Sequence, residues 1–295
     1  MEIHQLRYFC AVARNGTFTR ASEAEHVAQP SLSQQILKLE AELGARLFDR
    51  LPRSARLTVF GRAFLPKAER ILRELDSAKT EMLEMAGEEK GDVTLGVIPT
   101  IASYMLPRVL AGFSRRHSLV RVKVVEDITP ALLERLHAGS VDMAMVALPV
   151  PGHEIASVEL FDEPFFAVLP ETHPRAHRKS VKLADLKDDP FLLLKEGHCF
   201  RDSIIAACRK SKVKPNVVFE SGQFATILAM VSAGMGVSAV PAMAVQKTGG
   251  CRFIRIVGKR STRTIGIVKL RNHFETRAQR VFLNHVAASC PAARA

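Results

Sequence analysis

The chain has 295 residues, 47% of them apolar and 24% charged, which is enough for two or three domains with cores of their own and excludes wholesale disorder. Its formal charge of +12 suggests a polyanionic partner, but residues 1–90 carry 14 Lys+Arg against 13 Asp+Glu, so nearly all of the excess lies further along. No apolar run is long enough to span a bilayer, and the start, Met1-Glu-Ile-His-Gln-Leu-Arg7, has no secretory h-region. A cytosolic protein is expected, where stable disulfides are rare, and five scattered cysteines agree with that.

In chain order, Ile3, Leu6, Phe9, Cys10 and Ala13 recur at helical spacing until Asn15-Gly16 breaks the pattern. A short second helix is expected over Arg20–His26. A third starts at Pro30, carries the apolar stripe Leu32, Ile36, Leu39 and Leu43, and ends at Gly44. Three short helices with a tight second turn describe a helix-turn-helix. The hydroxyl and amide side chains of the third, Ser33 and Gln34, suit base edges in a major groove. Arg46, Arg50, Arg53 and Arg56 then cluster in a segment that would form a wing on the phosphates. Singly, Ser33 and Gln34 would do no more than solvate a surface helix and the arginines aid solubility; their order points to DNA binding.

Over residues 58–86, Phe64, Ala68, Ile71, Leu75, Ala78, Met82 and Met85 alternate steps of four and three. Such a seam implies helix pairing, most simply a homodimer, against the plainer alternative of a helix lying on its own domain. Glu88–Asp92 reads as a polar hinge.

Beyond it the pattern turns α/β. Strands are expected at 93–98, 120–125, 141–146, 165–169, 191–194, 217–220, 237–240, 252–257 and 263–269. Helices are expected at 102–116, 130–138, 200–210, 224–234 and 275–288. Two α/β lobes would enclose a cleft, with strand-end loops such as Pro99-Thr100 and Thr129-Pro130 facing it. Gly234-Met-Gly236 is too short for a nucleotide fingerprint and reads as a turn. No CxxC pair, metal-spaced histidines, P-loop or GxSxG elbow is present, so neither cofactor nor metal is expected.

One short motif carries chemistry. Cys199 is flanked by His198 and Arg201 and would begin a helix, where cationic neighbours and the helix dipole favour a thiolate. Cys208 lies nine residues on among aliphatic side chains. If 200–210 is helical, the two cysteines are about 13 Å apart along the axis and turned by roughly 180° from each other. A disulfide needs Cα atoms within about 7 Å, so it could form only by unwinding that helix. A peroxide would first give a sulfenic acid on Cys199, which Cys208 could resolve. Cys10, Cys251 and Cys290 read as packing residues, and most of Arg252, Arg255, Lys259, Arg260 and Arg263 as solvated strand-face charges.

The whole chain resembles the LysR-type transcriptional regulators. The resemblance rests on Phe18-Thr-Arg-Ala-Ser-Glu-Ala-Glu-His-Val-Ala-Gln-Pro-Ser-Leu-Ser-Gln-Gln-Ile-Leu-Lys-Leu-Glu40 followed by Leu43-Gly-Ala-Arg-Leu-Phe-Asp-Arg50. It implies an α/β architecture with a winged helix-turn-helix at 1–58, a dimerisation helix at 59–89 and a two-lobed, periplasmic-binding-protein-like effector domain at 90–295. The lobes would be about 90–162 with 265–295, and about 163–264. It assigns DNA contacts to Gln29, Pro30, Ser33, Gln34, Arg50 and Arg53. It also implies operator DNA and RNA polymerase as partners, and a homodimer that pairs into a homotetramer.

Within the family, the effector domain is similar to the OxyR group of peroxide sensors, through Ile98-Pro-Thr100, Glu126-Asp-Ile-Thr129, Leu160-Phe-Asp-Glu-Pro164, Gly197-His-Cys-Phe-Arg-Asp202, Cys208 and Arg263-Thr-Ile-Gly266. That similarity makes Cys199 the peroxidatic and Cys208 the resolving cysteine for hydrogen peroxide. Thr100, Thr129, His198, Arg201 and Arg263 would form the pocket, with Asp202 supporting it. Phe200 and Ser203 depart from the commonest residues of this loop, and Arg209–Lys214 is unusually basic. The alternative is a LysR-type regulator with a metabolite in the same cleft. A thiol peroxidase would not need the helix-turn-helix, and a periplasmic solute-binding protein would need a signal peptide.

Overall fold

The computed structural model describes residues 1–51, 54–85, 90–246, 249–258, 261–271 and 274–290. It falls into two compact units, Met1–Glu88 with His137–Ser140, and Glu89–Leu136 with Val141–Ala295.

In the first unit, α1 (Ile3–Asn15) buries Leu6, Phe9, Cys10 and Val12, and Gly16 ends it in the left-handed conformation. Helix α2 spans Phe18–Ala24, two residues earlier than predicted. The reason is Thr17, whose hydroxyl accepts the Arg20 N–H and caps the helix before its first charged residue. Helix α3 (Gln29–Leu43) holds Pro30 in its first turn and buries Leu32, Ile36 and Leu39 completely. Leu43, the last of the predicted stripe, is left exposed at the helix end. Strands β1 (Phe48–Leu51) and β2 (Ser54–Leu57) pair antiparallel as the wing. The buried Glu40 carboxylate accepts the Leu47 and Phe48 N–H groups, at 2.7 and 3.2 Å, and so ties α3 to the wing.

Helix α4 (Val59–Met85) carries the predicted seam, part of which packs on its own unit. Ala68 is fully buried, and Phe64, Leu65 and Leu72 pack on the core of the same unit. Ile71, one residue before Leu72, is 40% exposed, and Met82 60%. The helix is therefore cladding at its start and bears unburied apolar side chains further on. The expected hinge is also shorter: Gly91 and Asp92 already belong to a strand, and Glu88 and Glu89 lie outside the described residues.

The second unit opens with β3 (Gly91–Val97), α5 (Pro99–Tyr104), α6 (Leu106–Arg116), β4 (Val120–Glu126), α7 (Thr129–His137) and β5 (Met143–Leu148). Strand β6 (Ile155–Pro170) is far longer than the predicted 165–169. The short strand β7 (Ser180–Val181) was not foreseen, and β8 (Pro190–Leu194), α8 (Cys199–Lys210), β9 (Asn216–Ser221) and α9 (Phe224–Ser232) follow. The chain closes with β10 (Ser238–Pro241), β11 (Cys251–Ile256), β12 (Thr262–Leu270) and α10 (Arg277–Ser289).

The main sheet runs β4-β3-β5-β12-β6-β11-β7, with β10 also paired to β6. Strand β6 changes partners along its length: Ile155–Pro164 pairs with β12, and Phe165–Pro170 with β10 and β11. This handover divides the unit into two lobes with separate cores. One gathers Val93, Leu95, Phe113, Ile265 and Phe282, the other Phe165, Phe191, Ile204, Cys208 and Ile227. Helices α5 and α7 start where β3 and β4 end, so Thr100 and Thr129 stand in the first turns of helices facing the second lobe's α8. Among the described residues, no helix is long and apolar enough to cross a membrane.

Candidate functional site

In the first unit, α3 turns its buried stripe inward and leaves Gln29, Pro30, Gln34 and Lys38 exposed, with Ser33 half-buried. The wing adds exposed Arg46 and Arg56. Arg50 lies in β1 opposite Ala55, and Arg53 lies outside the described residues. A helix face of amides and a hydroxyl beside basic residues offers base-edge donors and acceptors together with charges for phosphate.

The second unit holds the thiol site. Gly197 takes φ +91°, a conformation that disfavours any side chain, and a Cβ there would press on Ile128 at 3.2 Å. This turn sets His198 as the N-cap of α8 and Cys199 as its first residue. The Cys199 Sγ stands 4.0 Å from Arg263 Nη1. Arg263 is buried on β12; its Nη2 donates to Thr100 Oγ1 at 3.1 Å, and its guanidinium carbon lies 5.2 Å from the centre of the Phe200 ring. A cavity of about 10 Å³, counted as space open to the centre of a water-sized sphere, adjoins the sulfur. Thr100, Thr129, Gly197, His198, Cys199 and Phe200 are among the residues that line it. Thr129 Oγ1 is buried there without a hydrogen-bond partner of good geometry.

Electrostatics correct the expectation of a resting thiolate. Burial raises the Cys199 pKa above its ordinary value, and this outweighs the lowering by Arg263, the Thr129 hydroxyl and the Phe200 N–H, while Asp202 adds to the rise. His198 is not a helping cation either. Burial lowers its pKa against the opposing pull of Glu126, which favours neutral imidazole. Cys208 is fully buried in the second lobe's core, and desolvation pushes its thiol up to about 11.

The helix-turn-helix of the bacterial LysR regulators matches residues 3–62, and the LysR substrate binding domain matches residues 86–291. The chain belongs to the LysR family. Like other LysR proteins it is a DNA-binding transcriptional regulator and not an enzyme. It is 34% identical over 290 residues to the DNA-binding transcriptional dual regulator OxyR of Escherichia coli K12, covering 95% of each chain. Its fold follows a full-length OxyR variant of Pseudomonas aeruginosa with a TM-score of 0.80 and 31% identity, over 100% of this chain and 97% of that one. The LysR regulator CbnR in complex with its target DNA matches with a TM-score of 0.72 and 28% identity, over 98% of this chain and 100% of that one.

Of the thiol-site residues named from the sequence of this LysR protein, Thr100, Thr129, His198, Cys199 and Arg263 come together. Arg201 does not. It pairs with Glu220 at 2.6 Å and with Glu196 at 3.7 Å, because residues two apart on a helix face different ways. Asp202 is exposed and reaches Cys199 only through its charge. Arg263 is no solvated strand residue, whereas Arg252 and Arg255 are exposed; Lys259 and Arg260 lie outside the described residues. Two residues went unassigned in the sequence. Glu163 holds Arg263, and Phe200 is packed between Phe165 and Phe224 at centroid distances of 5.2 and 5.6 Å.

Proposed function

We propose that this LysR-type regulator senses hydrogen peroxide at Cys199 and stores the signal as a Cys199–Cys208 disulfide that alters its grip on operator DNA. The observation that carries the reading is the cavity beside Cys199, with the space of about one water molecule and the buried Thr129 hydroxyl on its wall. A metabolite would need a pocket of roughly 300 Å³ or more. The larger groove, lined by residues such as Tyr104, Arg108, Glu163 and Cys290, includes none of Thr100, Thr129, His198 and Cys199. A relative from Escherichia coli O157:H7, 34% identical over 290 residues, is described as a hydrogen peroxide-inducible genes activator, which supports the same reading.

In the chemistry proposed, the Cys199 thiolate attacks one peroxide oxygen. An S–O bond forms, the O–O bond breaks, and hydroxide leaves with a proton supplied in the pocket. The Cys208 thiol then displaces water from the sulfenic acid, giving the disulfide. Because α8 is a continuous helix from Cys199 to Lys210, its first turns must unwind for the sulfurs to meet. That refolding is the bistable element linking oxidation to DNA binding. The DNA contacts are assigned to Gln29, Pro30, Ser33, Gln34, Arg50 and Arg53. Exposed Ile71 and Met82 on α4 are assigned to a homodimer that pairs into a homotetramer, with RNA polymerase as the further partner.

Tryptic mapping after stoichiometric hydrogen peroxide is expected to find one Cys199–Cys208 peptide, reversed by dithiothreitol. Cys199→Ser is expected to abolish it and to make operator binding indifferent to peroxide; an intact response in that variant rules the mechanism out. The raised Cys199 pKa adds a pH signature. The reactive thiolate is the minor form at neutral pH, so the oxidation rate of the reduced protein is expected to rise about tenfold per pH unit until the thiol ionises. A rate independent of pH between about 6 and 8 would mean that Cys199 already reacts as a full thiolate.

A further inference from the structure

Glu163 and Arg263 oppose each other on β6 and β12, beside the point where β6 passes from β12 to β10 and β11. Both side chains are 2% exposed. One carboxylate oxygen of Glu163 accepts Arg263 Nε at 2.8 Å and Nη2 at 2.7 Å, and the other accepts the Met243 N–H at 2.9 Å. The carboxylate is thus fully bonded and holds one edge of the guanidinium, leaving the remaining nitrogen, Nη1, toward Cys199.

We propose that Glu163 is a restraint on the sensor thiol: its buried carboxylate positions the Arg263 guanidinium beside Cys199 and offsets its charge, so that the reduced thiol keeps its proton. The proposal rests on the peroxide reading only in taking Cys199 as the reacting group. A lone guanidinium against the sulfur would act as a full positive charge in a poorly solvated site, where such charges act strongly. With a carboxylate bonded to its far edge, the thiol meets an ion-pair dipole whose field falls off faster. The other groups facing Cys199 do not replace the lost charge. Asp202 on its own helix is anionic, Thr129 and Thr100 from α7 and α5 are neutral hydroxyls, and burial holds His198 toward neutrality against the pull of Glu126. Without Glu163, the buried cation has the Cys199 sulfur as its adjacent titratable neighbour, and the thiolate becomes its counter-ion.

The test is the pH profile of Cys199 alkylation by iodoacetamide in the full-length reduced protein, read by peptide mass. Glu163→Gln is expected to lower the midpoint by about one pH unit and to speed alkylation at neutral pH about tenfold. Glu163→Asp keeps the carboxylate and is expected to keep the parent profile. A Glu163→Gln midpoint that is unchanged or higher overturns the proposal, and so does a Glu163→Asp shift as large as that of Glu163→Gln, which would mark a packing effect. Should Glu163→Gln fail to fold, the paired variant Glu163→Gln/Arg263→Gln decides, since it removes both charges together. An alkylation rate within about twofold of the parent supports the offset, whereas a tenfold fall shows Arg263 acting unopposed and overturns it. Peroxide oxidation of the unmodified protein is measured alongside. Its absence would sink the peroxide reading while leaving the alkylation profiles to judge Glu163.

Discussion

Arg263→Met is expected to cost the effector domain about 3–5 kcal/mol of unfolding free energy, because it strands a buried carboxylate without its cation. The loss is attributable to the orphaned Glu163, whose oxygens face only the Met243 N–H once the guanidinium is gone. Adding Glu163→Met to Arg263→Met is therefore expected to recover most of the stability, since apolar replacement of a whole buried pair is often neutral. Urea denaturation of the four proteins in the cycle measures the coupling directly. Equal losses for Arg263→Met and the double variant would show that the pair contributes through packing and not through charge. The double variant is still expected to lose the peroxide response, because Thr100 and Cys199 both lose the group that links them.

Phe200→Ala is expected to destabilise the reduced domain by about 3–5 kcal/mol and to accelerate disulfide closure at least tenfold once Cys199 is a sulfenic acid. Phe200 is buried in an edge-on aromatic cluster with Phe165 and Phe224, and Arg263 lies over its ring. Unwinding the first turn of α8 must draw this ring out of the core, so its packing belongs to the barrier. Quenched-flow sampling with mass detection separates sulfenic acid formation from closure. A closure rate equal to the parent's would mean that α8 opens from its other end, with Cys208 moving and Phe200 staying in place.

Much of this architecture is legible in the sequence, where short-range patterns decide it. The stripe Leu32, Ile36, Leu39 orients α3, and the Gly197-His-Cys turn puts Cys199 at a helix start. Reading fails where contacts are long-range. Glu163 and Arg263 are a hundred residues apart, and only the register of β6 against β12 makes them neighbours; no local pattern marks either as buried. Arg201 shows the converse error, being adjacent in sequence to the thiol yet directed elsewhere by helical rotation. The seam on α4 shows a third limit. Its spacing identifies an apolar face correctly but cannot say which surface covers it, and Phe64 and Ala68 are covered by their own domain. The resting thiol was misjudged because burial, the dominant influence on Cys199, is a tertiary property.

The unbroken run of α8 from Cys199 to Lys210 also bears on how the proposed signal is erased. Closing the disulfide sacrifices the packing of Phe200 and draws Cys208 from a fully buried position, so the oxidised form carries that loss as a permanent handicap. For a two-electron couple, about 1.4 kcal/mol corresponds to about 30 mV, so a handicap of 3–5 kcal/mol raises the reduction potential by roughly 65–110 mV. The aromatic cluster thereby works as a potentiometer. Tighter packing of the helix start makes a disulfide that cellular thiols reduce more readily, and a shorter memory of each encounter with oxidant.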